Sequence, residues 1–129
     1  MKKYQLSFAQ INVLDKCIAE VIFDNGIDVS IEMMEEIEAV ACGIFNDDFG
    51  VIVNKIYPYT YCPGATLILG SMERMKAIAS INYSQEGAEI TQDIVNKRRT
   101  DRLNIKPFNG LELGRQQAID WLLNELMIY

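Results

Sequence analysis

Apolar and polar residues alternate through the first part of the chain, as they do in β-strands that bury one face. The alternation runs over residues 4–8 and 11–13 and then, after a predicted tight turn at 15–16, over residues 17–23. Asp24, Asn25 and Gly26 follow and favour a second turn, because Asn and Gly adopt left-handed conformations at low cost. The pattern therefore predicts an opening β-hairpin.

Three longer segments have the apolar period of amphipathic helices. They are residues 30–45, with Ser30 as the N-cap, residues 84–98 and residues 113–126. A short helix is predicted from Pro63, which suits a first helical position, to Gly70, which suits a helix end.

The remaining apolar runs predict strands at 49–54, 76–83 and 105–108. The first is continuously apolar, which is typical of a strand covered on both faces. Pro107 places the last strand at a sheet edge or a strand end. Strands that alternate with helices predict right-handed crossovers. We therefore expect a single α/β domain over residues 1–129, with a mixed, mainly parallel sheet opened by a β-hairpin and covered by helices on both faces.

The net charge and the apolar content of the chain argue against two kinds of partner, nucleic acid and the membrane interior. The net charge is −6, whereas proteins that bind nucleic acid usually carry a basic excess, so nucleic acid is disfavoured. No stretch approaches the roughly 20 apolar residues of a membrane span, and no apolar segment of signal-peptide length follows the N-terminus. We expect a cytoplasmic protein without integral membrane association.

The absence of histidine removes several kinds of chemistry. Among 129 residues there is no His, which excludes Ser-His-Asp and Cys-His catalysis and the commonest nitrogen ligand of transition metals. Cys17, Cys42 and Cys62 are far apart and form no C-x-x-C pair, so we expect small buried side chains. The prediction is a protein that is not an enzyme and has no metal and no cofactor.

The segment 57–63 is the least ordinary part of the sequence, because three tyrosines alternate between two prolines. It follows the carboxyl end of a predicted central strand, where ligands of open α/β sheets tend to bind. We therefore choose Tyr57, Tyr59, Thr60, Tyr61 and Cys62 as candidate residues for binding a partner or a ligand. The alternative is an extended segment whose tyrosines pack down on the domain. Cys62 precedes a helix start, which favours thiolate, but it has no His or second Cys beside it.

Three other features have simpler explanations. Glu32, Glu35 and Glu36 form a solvated helix face near a positive helix end, with a metal site or an acidic docking face as the alternatives. The basic segment 97–102 falls where a helix ends, so it complements the helix dipole; an acidic partner or an anionic head group is the alternative. Trp121 lies at the margin of an apolar stripe, as a partly buried residue or a subunit contact.

Four stretches carry a resemblance to a known family. They are FGVIVNK at 49–55, KAIASI at 76–81, NIKPFN at 104–109 and AIDWL at 118–122. With the order of elements, they make the chain similar to STAS-like domains, the fold of anti-sigma factor antagonists and of sulfate-transporter tails. More narrowly, it resembles the small bacterial STAS/SEC14-like proteins of unknown function.

This resemblance implies a non-catalytic regulatory or protein-interaction module, with an unidentified protein partner and a homodimer as one option. In the family, a serine at the start of the short helix is the phosphorylated switch. The matching stretch here is YTYCPGA at 59–65, which has no such serine, and Thr60 lies before the helix. The module is thus expected to work without that switch. The SEC14-like part of the resemblance implies the alternative, a protein that binds a small ligand or a lipid.

Overall fold

A computed structural model describes residues 2–101 and 103–126, and the elements within them form an α/β fold. The strands are β1 (Lys2–Gln5), β2 (Ala9–Asp15), β3 (Ile18–Phe23), β4 (Asp28–Val29), β5 (Phe49–Asn54), β6 (Thr60–Tyr61), β7 (Met75–Asn82) and β8 (Ile105–Asn109). The helices are α1 (Ile31–Ile44), α2 (Pro63–Ile68), α3 (Gln85–Lys97) and α4 (Gly114–Glu125).

The main sheet has the strand order β1-β2-β3-β5-β7-β8. β1, β2 and β3 pair antiparallel, so the chain opens with two hairpins in succession. β3, β5, β7 and β8 pair parallel, with Val21 opposite Val53 between β3 and β5. The predicted mixed, mainly parallel sheet is confirmed, and segments 17–23 and 49–54 supply two of its neighbouring strands.

The helices divide unequally between the two faces of this sheet. The parallel strands follow one another in a single direction, so right-handed crossovers place α1, α2 and α3 on the same face. The core on that face includes Met34 of α1, Ala65 of α2 and Ile94 of α3. On the other face, Ala118 and Leu122 of α4 pack against Ile18 and Ile52. Because β5 lies between both layers, all its residues are buried, as its apolar run predicted.

The predicted helix boundaries agree with the structure. The Ser30 hydroxyl accepts a hydrogen bond from the Met33 backbone N–H (3.2 Å), and the Ser84 hydroxyl accepts one from Gly87 N–H (3.1 Å). Pro63 is the first residue of α2. Gly70 follows α2 with φ of 74°, a left-handed conformation that glycine adopts without strain.

β8 is an edge strand, and the backbone nitrogen of its proline, which carries no hydrogen, faces the open side of the sheet. Gly110 N–H donates to the Asn82 carbonyl and Ile78 N–H donates to the Asn104 carbonyl, so the even-numbered residues of β8 bond to β7. Pro107 is odd-numbered and pairs with Ser80 across the ladder. Its nitrogen therefore lies on the open side of the sheet, where no ladder hydrogen bond is lost.

Two features differ from the sequence predictions. The sequence pattern predicts no strand between residues 55 and 62, but Thr60–Tyr61 forms a small parallel sheet with Asp28–Val29. Strands of two residues are too short to show alternation, and the Thr60 hydroxyl stabilises the pair by donating to Asp28 Oδ1 (2.7 Å). Of the three free cysteines, Cys17 is buried as expected, while Cys42 is exposed and Cys62 is partly buried.

Candidate functional site

The parallel strands end at one edge of the main sheet, which we call the carboxyl edge. β5, β7 and β8 each finish with an asparagine, namely Asn54, Asn82 and Asn109. The segments after these strands therefore lie side by side, which is the usual position of ligand sites in open α/β sheets. Two clefts open here.

Lys55 follows the buried strand β5 and is held in place through its backbone, since its N–H donates to the Ile81 carbonyl (3.0 Å). Its side chain lies over the face that carries α3. The ammonium donates to Thr91 Oγ1 (3.2 Å) and lies 5.4 Å from the ring centroid of Tyr59 and 5.6 Å from that of Tyr61. Within residues 2–101 and 103–126, no carboxylate lies within ion-pair distance of this ammonium.

Burial lowers the pKa of Lys55 to about 8, because the charged form has lost part of its hydration. Two weakly negative ring faces and a hydroxyl compensate only part of that loss. At neutral pH the side chain is therefore mainly a cation, with no anionic partner in the described part of the chain, and near pH 8 half of it is neutral amine.

The two tyrosines beneath the lysine form one packed unit. Their hydroxyls lie 2.9 Å apart in a hydrogen bond, and their rings meet edge-on with centroids 5.3 Å apart. Phe23 packs against the Tyr59 ring at 4.8 Å. Burial raises the pKa of Tyr61 to about 12 and that of Tyr59 well above its ordinary value. Both hydroxyls therefore stay protonated at any physiological pH.

A buried polar cluster supports the lysine from the α3 side. Thr91 Oγ1 lies 2.9 Å from Ser80 Oγ, 3.1 Å from Asn82 Oδ1 and 3.2 Å from the Gly87 carbonyl. These contacts join the end of β7 to the first turns of α3. The cluster fixes the oxygen to which Lys55 donates, so the ammonium has a defined position rather than a mobile one.

The first cleft, which we call the lysine cleft, has a volume of about 300 Å³. Its walls are residues 55–59, Tyr83 and Ser84 after β7, and Glu86, Gly87 and Ile90 of α3. Most of this lining is apolar, and Lys55 is its one basic side chain. A volume of this size suits a small organic molecule.

The second cleft, of about 460 Å³, shares Tyr83 and Ser84 with the first and extends along β8 to Leu111. Beside it, residues 110–113 form a tight connection that we call the leucine loop. Gly110 is required there, because a Cβ at this position would collide with the Tyr83 ring. Leu111 and Leu113 are 75% and 80% exposed, and Leu113 has φ of 62°, a left-handed conformation unfavourable for leucine.

A separate polar network lies on the opposite face, beneath α4. Glu20 is 3% exposed and accepts hydrogen bonds from Arg115 Nε (2.9 Å), Asn54 Nδ2 (2.9 Å) and Asn12 Nδ2 (3.1 Å). Burial alone would raise the pKa of Glu20, but these donors and the Arg115 charge outweigh it and hold the pKa below its usual value. The network joins α4 to three strands, so it has a structural role.

Of the residues chosen from the sequence, Tyr57 and Tyr59 line the lysine cleft. Thr60 and Tyr61 line a separate cleft between α2 and α3. Tyr57 is 48% exposed, Thr60 is exposed, Tyr61 is partly buried and Tyr59 is buried. Cys62 is the N-cap of α2, and its sulfur accepts from the Ala65 N–H at 3.4 Å. The burial of Tyr59 favours the packed-segment alternative for that residue. A role for Tyr57 in binding stays a prediction.

Lys55 is the residue that reasoning from the sequence missed. A lysine directly after a fully apolar strand and just before an aromatic segment was the available signal. Sequence alone could not reveal its burial, because Thr91 and the tyrosine rings reach it through tertiary packing.

The basic segment 97–102 divides into different roles. Arg98 is buried and donates to the carbonyls of Thr66 (3.1 Å) and Leu69 (2.7 Å), so it caps the carboxyl end of α2 and also pairs with Asp101. Lys97 pairs with Asp93 at 3.0 Å on the surface. Arg102 lies outside the described residues.

Comparison with known proteins identifies no relative. No protein-family model, curated protein or solved structure matches the chain. Within the described part of the chain, no group of three potential metal-ligating side chains occurs, and no helix is long and apolar enough to cross a membrane.

Proposed function

We propose that this chain is a non-catalytic, regulatory binding module of STAS-like type, and that the lysine cleft is its ligand site. One observation carries the proposal: Lys55 lines a cleft that can hold a small molecule, yet its ammonium has no carboxylate within reach among the described residues. Keeping a cation partly desolvated costs stability, so a function for it in binding explains its position.

A binding role without catalysis is supported by the chemistry present. The chain has no histidine, and the tyrosines nearest the lysine keep their protons because burial raises their pKa values. The same cleft corresponds to the small-ligand alternative that the SEC14-like resemblance implied. Its open form and size favour a small molecule over a long lipid chain.

The test is a thermal-shift screen of small metabolites against the wild type and Lys55→Met. A compound that raises the melting temperature of the wild type and not that of Lys55→Met supports the proposal. Lys76→Met is the matched control, because Lys76 lies at the amino end of β7, away from the cleft, and its nearest carboxylate is 4.0 Å away. Compounds that stabilise all three proteins equally, or none that stabilise the wild type, contradict it.

Association through the leucine loop is a second candidate function. Two exposed leucines, one held in an unfavourable conformation, present apolar surface beside the larger cleft. Exposed apolar surface of this kind, when it is contiguous, marks sites of protein–protein contact. For this candidate we propose a second copy of the chain as the partner. The wild type should then sediment as a dimer, and Leu111→Ser/Leu113→Gly as a folded monomer. A wild type that stays monomeric at high concentration contradicts this candidate.

A further inference from the structure

We infer that the ligand of the lysine cleft is a small organic acid: a molecule with one anionic group, which pairs with Lys55, and an apolar body, which lies against the walls of the cleft. This inference rests on the proposed function of the cleft and adds the chemical class of the ligand.

The anionic group follows from the contacts of the Lys55 ammonium. One of its three hydrogens goes to Thr91 Oγ1 at 3.2 Å, and the two tyrosine rings lie more than 5 Å from the nitrogen. Hydrogens therefore remain for an acceptor in the cleft. A carboxylate or phosphate oxygen is the strongest acceptor for them, because a hydrogen bond between ionised groups is about twice as strong as one between neutral groups.

The other groups that face Lys55 leave room for this anion. Tyr59 and Tyr61 stay neutral because burial raises their pKa values. Tyr57 and Tyr83 contribute phenol rings to the walls. Glu86 on the first turn of α3 is the one acidic side chain among the described lining residues, and it is exposed to solvent. Because solvent screens the charge of Glu86, its repulsion lowers the affinity for an anion only modestly.

The apolar body follows from the rest of the lining. Ile56, Pro58 and Ile90 offer aliphatic surface, and the tyrosine rings offer flat apolar surface. An inorganic anion would leave these walls against water. An organic acid would cover them, at a gain of about 25 cal/mol for each Å² removed from water. The cleft should therefore prefer an aromatic or branched acid to free phosphate.

Binding of such an acid should depend on pH in a defined direction. The pKa of Lys55 is about 8, so the charged fraction falls about tenfold between pH 7 and pH 9. An anion that pairs only with the charged form should lose affinity by the same factor. Neutral molecules that merely fill the cleft should show no such loss.

Isothermal titration calorimetry with 2-naphthoate and its neutral analogue 2-naphthamide tests the inference. At pH 7 we expect 2-naphthoate to bind the wild type at least tenfold more tightly than 2-naphthamide, and about tenfold more tightly than it binds at pH 9. Lys55→Met should weaken 2-naphthoate binding about tenfold or more. Lys55→Arg, which stays charged, should keep most of the affinity and lose the pH dependence.

Three variants and the probe pair separate the possible failures. If 2-naphthamide binds as well as 2-naphthoate and both depend on Lys55, the cleft is a ligand site but the anionic class is wrong. If neither probe binds, or if binding is unchanged in Lys55→Met, both the inference and the cleft as a site are overturned. Glu86→Gln is a matched variant, because removing its charge should strengthen 2-naphthoate binding and leave 2-naphthamide unchanged.

Discussion

At the scale of single residues, Lys55 determines the pH behaviour of this domain. Its folded pKa, about 8, lies below the ordinary value of 10.5. Between these values the unfolded chain binds more protons than the folded chain. The free energy of unfolding therefore rises as the pH increases from 8 to 10.5. Below pH 8 the penalty for the desolvated charge is present in full. Without a ligand, this residue therefore destabilises the fold at neutral pH.

Replacing the lysine removes that penalty. We predict that Lys55→Met gains about 1 kcal/mol in unfolding free energy at pH 7, seen as a rise in melting temperature of about 3–5 °C. The gain should shrink as the pH rises above 8 and be largely gone at pH 10.5, where the folded amine is neutral and the unfolded amine is half neutral. Differential scanning calorimetry from pH 7 to pH 10.5 measures both effects.

Lys76→Met again provides the comparison, since this lysine is exposed and its replacement should change the unfolding free energy by less than about 0.5 kcal/mol. A lower melting temperature for Lys55→Met at neutral pH would mean that the lysine stabilises the fold, and the explanation by desolvation would be wrong.

At the scale of elements, Arg115 attaches the start of α4 to the sheet. α4 has no side-chain N-cap, and its first turn is held instead by the two hydrogen bonds from Arg115 to Glu20 (2.9 and 3.3 Å). Removing the guanidinium leaves Glu20, which is only 3% exposed, with two amide donors and without its one salt-bridge partner among the described residues.

We therefore predict that Arg115→Gln lowers the unfolding free energy by about 2 kcal/mol at pH 7. Because the folded pKa of Glu20 is depressed, its contribution is present above about pH 4.5 and is lost as the pH falls through the folded pKa. Urea unfolding at pH 7 and pH 3 should show the deficit of the variant shrinking at the lower pH.

Arg99→Gln serves as the control for this experiment. Arg99 is exposed and its side chain donates to Asn96 Oδ1 (3.1 Å) on the surface of α3, so the change should cost less than about 0.5 kcal/mol. An equal loss in both variants would contradict a specific role for the pair between Arg115 and Glu20.

Most helices and strands of this fold can be predicted from the sequence. The long elements are visible in it because their signals are local: Ser30 and Ser84 as N-caps, Pro63 at a helix start, and the apolar run of β5. The pairing of β4 with β6 was missed, because 31 residues separate Asp28 from its partner, and each strand has only two residues.

The candidate site is predictable in place but not in composition. The carboxyl end of β5 follows from the order of elements, and the tyrosine segment marks it. The burial of the polar cluster around Thr91 depends on how α3 packs against β7, and the burial of Tyr59 depends on its packing against Phe23 of β3. Arg98 is a similar case, because its charge suggested a surface role and its partners are carbonyls of another helix. Such contacts join residues far apart in sequence, so no local pattern reveals them.

At the scale of the whole molecule, the sheet has two edges, and each is unsuited to pairing with another chain. β1 has four residues, two of them exposed lysines, and β8 directs the nitrogen of Pro107 outward. Short edges, edge lysines and edge prolines all hinder the addition of a further strand. Both edges of this open, mainly parallel sheet are therefore protected against pairing with a strand of another chain.

Pro107→Val tests this protection. Valine would restore an outward N–H to β8 and fits a strand well, so we predict little change in stability, within about 0.5 kcal/mol, but greater self-association. Sedimentation velocity over a concentration series measures it, with Lys106→Val as the control that adds apolar surface without adding a donor. Equal behaviour of the two variants, or a Pro107→Val protein that is no more associated than the wild type, contradicts the prediction.

The fluorescence of Trp121 reports on one of the two layers that cover the sheet. It is the one tryptophan of the chain, on α4, with its ring centroid 5.8 Å from that of Phe108 on β8. Tyr59 and Tyr61 lie on the other face of the sheet, with the core beneath α1, α2 and α3. Excitation near the red limit of indole absorption therefore follows the α4 layer alone. Tyrosine absorbance combines Tyr83 on the α4 side with Tyr4, Tyr59 and Tyr61 in the opposite layer, so it also reports the unfolding of that layer. Denaturation curves recorded by the two signals will coincide if the layers unfold together, and will separate if α4 detaches first.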